Sequence, residues 1–346
     1  MGTRPYNQEI DIAKGIGMIL LVIGHLLMID TPGFKVIFAF HMPLFFFLSG
    51  TLFCSDRYSR SDFFGKKISR LIISYLMFTI IGGIFYAAIL KWEMLSIKPL
   101  IISTFYSGQP TVNNNLWFLA TLSLVMCIFY LVPFFSQEKM RLSTSICIII
   151  GCLLLSWLFT YIPLKFLPFK LNSVPLAFIF FFIGNRFGKV RKFHIVKKSL
   201  ILGGVIFLAL LLIFAAIFNS RVDLRLNYMG NPILFIIGSL SGIALILLLS
   251  KYIKSPVVAM IGRLSFVFFA LETYVRESVN LGLNRLIGTD YKPIIDLPIE
   301  FAAIEFVIII VCLTVITKFF SPIFFNWTSS IQNKMLNFVT KSKTLS

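Results

Sequence analysis

Three ionisable residues, Asp11, Lys14 and His25, stand within or at the edge of one apolar run near the N-terminus. On a helix, Lys14 and His25 are eleven positions apart and come within about 20° of eclipsed, while Asp11 lies about 40° from His25. All three share one stripe, in the pattern D-x2-K-x10-H. Ionisable groups inside an apolar helix are costly and are functional candidates by default. An imidazole held in this way offers general-base chemistry. Further along, Lys66, Lys67 and Arg70 form a basic cluster with Lys67 and Arg70 three apart, a spacing suited to phosphate oxygens. A plainer reading stays open for each: an interhelical hydrogen bond for His25 and ordinary anchoring charges for the cluster.

The elements that must position these residues follow from composition. Of 346 residues, 58% are hydrophobic, 13% are charged and 39 are Phe, and the mean hydropathy is +0.91. A soluble domain is about a quarter charged. There is too little charge here to cover a water-facing surface, so the chain reads as an all-α polytopic membrane helix bundle. A helix of about 20 apolar residues crosses the hydrocarbon core. Ten candidates appear, at 12–29, 34–54, 71–90, 116–135, 144–162, 171–188, 199–218, 232–250, 256–276 and 299–320. The first is not a cleavable signal, because it carries Lys14 and His25 and lacks a small-residue cleavage site. The tail after Trp327 is expected to lie along the membrane interface. The longest segment outside the membrane is 91–115. With no repeat and no extramembrane domain, residues 1–346 read as one integral membrane domain.

The net charge of +18 follows from topology. Ten spans put both termini on one side. That side's segments (the N-terminus, 55–70, 136–143, 186–198, 251–263 and the C-terminal segment) hold 22 of the 32 Lys and Arg, and the opposite side holds 10. Both termini are therefore expected in the cytoplasm, and no nucleic-acid partner is needed. The five cysteines form no CxxC and have no His at ligand spacing, so neither a zinc site nor a disulfide is expected.

Depth adds to the pattern. His25 is five residues before Asp30, roughly 7–8 Å below the outer surface, and His41 is at a similar depth on the returning helix. Glu272 is four residues before the outer Arg276, and Trp117 begins the fourth span after Asn113, Asn114 and Asn115. These groups fall in one outer layer. Glu272 with Arg276 also reads as a simple i,i+4 ion pair, His41 as a packing residue, and Trp117 as an interfacial aromatic. Gly15, Gly17 and Gly24 would let a neighbour approach the first helix closely.

The stretch EIDIAKGIGMILLVIGHL (9–26), followed by FHMPLFFFLSGTLF (40–53), resembles acyltransferase family 3, the integral membrane sugar O-acyltransferases, and is most similar to the fucose 4-O-acetylase-like branch. NLWFLATL (115–122) and GRLSFVFFALE (262–272) resemble family segments in the same order. The resemblance covers nearly the whole chain and implies transfer of an acyl group, usually acetyl, from cytoplasmic acyl-CoA to a glycan hydroxyl presented outside. It sets the family's R/K-x10-H motif on Lys14 and His25, with the acidic residue at Asp11. The RxxR motif falls on Lys67 and Arg70, where Lys replaces the first Arg and loses a planar fork. Family members often carry His where this chain has Glu272.

On this resemblance, His25 is the general base or a transient acyl carrier, and Asp11 and Lys14 order the helix and the thioester. Lys66, Lys67 and Arg70 take the polyphosphate of acetyl-CoA or another acyl-CoA, and His41, Asn115, Trp117 and Glu272 support the acceptor. No metal is expected. The implied partners are acyl-CoA, a polysaccharide or lipid-linked glycan and the bilayer of the plasma (inner) membrane. A homo-oligomer is left open. The rival class is a multi-pass exporter of a glycan or small solute, which acyl-CoA dependence distinguishes.

Overall fold

The computed structural model describes residues 8–89, 97–137, 139–162, 168–190, 198–287 and 299–343. Apolar runs in a bilayer must satisfy their own backbone groups, which makes them helical. The helices are α1 (Gln8–Leu26), α2 (Pro32–Leu52), the short α3 (Arg60–Asp62), α4 (Ser69–Ile89), α5 (Ile97–Ile101), α6 (Trp117–Leu131), α7 (Leu142–Phe159), α8 (Val174–Val190), α9 (Lys198–Phe218), α10 (Pro232–Ser250), α11 (Pro256–Arg263), α12 (Ser265–Ile287) and α13 (Ile299–Lys343). Among the described residues the β structure is confined to an isolated bridge between Asp223 and Tyr228. The protein is an all-α polytopic membrane helix bundle. Among the described residues, eight helical runs are long and apolar enough to cross a membrane, and the bent pair α11–α12 makes a ninth. The tenth expected span is α1, whose first turns carry Glu9, Asp11 and Lys14. Its 19 residues extend about 28 Å, close to the hydrocarbon thickness.

The helix with the polar stripe is central. It is surrounded by α2, α10, α11, α12 and α13, with Ile12, Ala13, Met18, Leu21 and Val22 buried. Two helix pairs lie unusually close, and glycine makes both possible. Where α1 meets α11, a Cβ on Gly15 would collide with the carbonyl of Val258, and one on Gly262 with the carbonyl of Asp11. Where α2 meets α8, Gly184 and Gly188 oppose the backbone of Phe47 and Thr51. Asn185 between them donates from Nδ2 to the carbonyl of Phe53 at 2.9 Å. At the periphery, Ile146, Ile150, Leu154 and Trp157 of α7 and Leu202, Phe207, Leu210 and Phe214 of α9 point outward and exposed. Apolar faces of that extent are lipid-contact surfaces in a membrane bundle.

Three elements differ from their expected form. The ninth span, expected as one helix over 256–276, turns by 87° between α11 and α12. Leu264 at the corner has φ −95° and ψ 10°, the bridge conformation that ends a helical ladder, while Gly262 holds α11 against α1. The last helix does not stop at 320 but continues into the tail. It is one helix of 45 residues, and Gln332 donates to the carbonyl of Lys66 at 2.8 Å and to Ser69 Oγ at 2.9 Å. The segment 91–115 begins at 91–96, outside the described residues. From Ile97 on it folds back onto the bundle, with Thr104, Val112 and Asn113 buried and the Tyr75 hydroxyl donating to the carbonyl of Thr104 at 2.7 Å.

Candidate active site

A carboxylate taken out of water must be met by donors. Glu272 on α12 is fully buried, and three N–H groups from three elements converge on it. His25, in the last turn of α1, donates from Nδ1 to Oε1 at 3.0 Å. Arg276, one turn along α12, donates from Nε to the same oxygen at 3.0 Å. Asn115, in the 3-10 turn Asn114–Leu116 that opens α6, donates from Nδ2 to Oε2 at 2.7 Å. The expected i,i+4 pair of Glu272 and Arg276 is thus present, and His25 shares its acceptor oxygen.

Asn113 braces the turn that carries Asn115. Its Nδ2 donates to the carbonyl of Ala270 at 2.9 Å, and its Oδ1 accepts from the Asn115 backbone N–H and the Thr273 hydroxyl, both at 3.1 Å. The turn before α6 is thereby tied to α12. A carboxylate on Nδ1 of His25 selects the tautomer with Nε2 unprotonated. The side chain is 20% exposed, so its free nitrogen belongs to a ring with access to open space.

That space is a cavity of about 350 Å³. Its wall includes His25, His41, Asn115, Trp117, Arg276 and Met42. His41 is buried, and its Nδ1–H donates to the carbonyl of Ile37 at 2.9 Å, which leaves Nε2 as its acceptor nitrogen. Trp117 is also buried, beside Phe46 and Phe118. Phe38 stands between the two histidines, 6.5 Å from the His25 ring and 4.6 Å from the His41 ring by centroids. Glu272 lies behind this wall as the support of His25.

A second cavity, of about 250 Å³, lies along the same helix. Lys14 and Lys67 line it, and the rest of its wall is mostly apolar, including Met18, Phe118, Leu122 and Phe266. Met42 and Phe269 border both cavities, so the two chambers abut at these side chains. The K-x10-H stripe therefore serves two chambers: eleven residues put Lys14 and His25 about 16 Å apart along α1.

The other sequence candidates spread out. Asp11 lines neither chamber and lies where Gly262 presses on α1. Lys67 sits in the π-helical stretch Phe63–Ile68 that runs into α4. Arg70, in the first turn of α4, lines neither chamber. Lys66 also points away, 2.6 Å from Asp62 in a mostly exposed ion pair. Sequence reasoning passed over Asn113, Thr273, Arg276, Met42 and Phe269 as site residues. The Asn113–Asn115 run and the outer Arg276 were visible signals, but nothing marked the two apolar residues. Among the described residues, no group of three His, Cys, Asp or Glu is placed to hold a metal ion.

The acyltransferase-domain family matches residues 7–324. The nodulation protein NolL of Mesorhizobium japonicum is 33% identical over 132 residues, which is 34% of this chain and 34% of that protein. The chain thus matches about a third of that relative's length. No solved structure matches the chain.

Proposed function

The chain belongs to the acyltransferase-domain family, and from that premise we propose that it is a membrane-bound O-acyltransferase. It moves an acyl group, acetyl by default, from cytoplasmic acyl-CoA to a sugar hydroxyl of a glycan at the opposite face. The observation that carries this reading is the pair of chambers meeting at Met42 and Phe269, one lined by cations and apolar side chains and the other by His25. Lys14 and Lys67 suit the phosphates of the donor, and the apolar wall suits its pantetheine arm. The Lys14 end lies toward the cation-rich segments around 55–70 and 251–263, the side assigned to the cytoplasm by the positive-inside rule. An acyl-CoA donor fits the plasma (inner) membrane, whose inner face meets the cytoplasm.

A sugar hydroxyl is a poor nucleophile at neutral pH. In the proposed reaction it gives its proton to His25 Nε2 as its oxygen bonds to the thioester carbonyl carbon. The tetrahedral intermediate then collapses with C–S cleavage, and the CoA thiolate takes the proton back from the imidazolium. Glu272 stabilises that imidazolium, and a positioned base contributes roughly 10²–10⁴ in rate. In the covalent variant Nε2 attacks the thioester and expels the CoA thiolate, and the sugar hydroxyl then displaces the imidazole from the acyl group while its proton passes to the thiolate. Ping-pong kinetics identify that variant, and ternary-complex kinetics identify direct transfer.

The test uses sealed membrane vesicles of both orientations with labelled acetyl-CoA. The reading predicts alkali-labile label on the glycan when donor is supplied at the Lys14 face, and none when it is supplied only at the His25 face. Glycan movement across the membrane with no consumption of acetyl-CoA would establish the exporter instead.

A further inference from the structure

The His25 chamber has a second polar wall that the proposed chemistry leaves unused. The segment 219–231 joins α9 to α10 and is firmly braced. Asn219 donates from Nδ2 to the carbonyl of Met229 at 3.0 Å and accepts from the backbone of Asn231 at 2.8 Å. Asp223 and Tyr228 exchange backbone hydrogen bonds at 2.8 and 2.9 Å. Asn227 is bound to Ser156 of α7 through both side-chain atoms, at 2.6 and 2.8 Å.

This rigid segment carries Arg221, Asp223 and Arg225 into the chamber wall. Both guanidinium groups reach one oxygen, Asp223 Oδ2, at 3.0 and 3.5 Å. Arg221 also lies 5.8 Å over the ring of Phe34, which stacks on Phe38 at 3.8 Å beside His25. The aromatic row thus connects the arginines to the base.

The charge at this wall does not balance. Lys170 is buried, and its Nζ donates to the carbonyl of Arg225 at 3.2 Å. Lys170 does not line the chamber, so among the described groups at the wall two cations, Arg221 and Arg225, share one carboxylate, Asp223, and one positive charge is in surplus. Arg276 across the chamber is already engaged by Glu272 and Glu277, at 3.0 and 3.2 Å. The side chains of Arg221 and Arg225 are each 30% exposed, and two guanidinium groups fixed side by side present planar forks matched to an oxyanion.

We propose that the acceptor held in this chamber is anionic, and that Arg221 and Arg225 bind its phosphate or carboxylate while a sugar hydroxyl faces His25. The proposal rests on the acyl-transfer reading for what happens to that hydroxyl, but binding is read apart from transfer. A sugar phosphate of a lipid-linked glycan and a uronate of an acidic polymer share this oxyanion chemistry.

The test uses the purified full chain in detergent with saturating CoA, so that Lys14 and Lys67 are occupied. Binding of glucose 1-phosphate, glucuronate and glucose is measured by thermal stabilisation. Wild type is expected to bind at least one of the two anions tenfold or more tightly than glucose, and the preferred anion names its source. Arg221→Gln with Arg225→Gln should bring that ratio to about one while CoA still stabilises the protein. Arg225→Lys should keep part of the ratio, which covers the case of a double variant that fails to fold. Equal binding of all three sugars by wild type overturns the proposal, and so does selectivity that survives in a CoA-binding double variant. Anion selectivity without acetyl transfer to any acceptor would instead sink the acyl-transfer reading and leave the anion site standing.

Discussion

Replacing Glu272 with Gln tests the arrangement around His25 at its strictest point, because the two side chains have nearly the same shape. Oε1 accepts from His25 and Arg276, and Oε2 accepts from Asn115. An amide supplies one acceptor oxygen and one NH2. If the oxygen takes the Oε1 position, His25 keeps its tautomer but the imidazolium formed during transfer loses its counter-charge. If the NH2 takes that position, it meets two donors and drives the His25 proton to Nε2, which removes the base. A unit charge pair separated by about 4 Å is worth about 4 kcal/mol at an effective dielectric of 20. An amide dipole retains part of this, leaving a loss of about 3 kcal/mol, or roughly 10²-fold in kcat. The donor chamber is untouched, so the KM for acetyl-CoA should hold. The assay is initial-rate transfer of labelled acetyl in membranes, normalised to inserted protein. A Glu272→Gln enzyme within threefold of wild type in kcat would refute the claim that the carboxylate governs His25.

Other expectations follow from the same geometry. Asn115→Ala removes one donor from Oε2 and should lower kcat about fivefold, the worth of a single hydrogen bond of about 1 kcal/mol, in the same labelled-acetyl assay. Lys67→Ala should raise the KM for acetyl-CoA about tenfold or more by loss of a charge-assisted contact, whereas Lys66→Ala, whose partner is Asp62, should leave it within about twofold. Met42→Trp fills the junction of the two chambers. It should abolish transfer while labelled acetyl-CoA still binds, and undiminished turnover would show that the acyl group takes another route. Gly262→Ala sets a Cβ against the Asp11 carbonyl and should cost about 1–3 kcal/mol by overpacking, read as a lower Tm in detergent. Gly151→Ala, with nothing within 4 Å of its Cβ, should not lower it.

The sequence made the bundle legible because helix length and apolarity are local properties: nine of the ten expected spans find a single helix, and the ninth in chain order finds the bent pair α11–α12. The stripe on α1 was legible because eleven positions nearly close three turns. Face alone, however, does not say that Lys14 and His25 open into different chambers, since the division comes from Met42 and Phe269 on other helices. The partner of Glu272 was hidden for a related reason. Its approach to His25 depends on the corner at Leu264, which no proline announces and which arises where Gly262 packs on α1. Arg221 and Arg225 read only as two loop charges, because their convergence on Asp223 is set by bonds from Asn219 and Asn227 to distant segments. The pair Gly184 and Gly188 is a small-x3-small motif in plain view. Its meaning needs the partner helix α2, which is 132 residues away at Phe53 when counted from Asn185.

The central claim is that His25 moves the proton, or the acyl group, in an acyl-CoA-dependent transfer. It is tested most directly by supplying labelled acetyl-CoA to membranes that contain either wild type or His25→Ala at matched insertion. The account predicts label in the glycan with wild type and a loss of at least 10²-fold with His25→Ala. Incorporation that survives the substitution would contradict it.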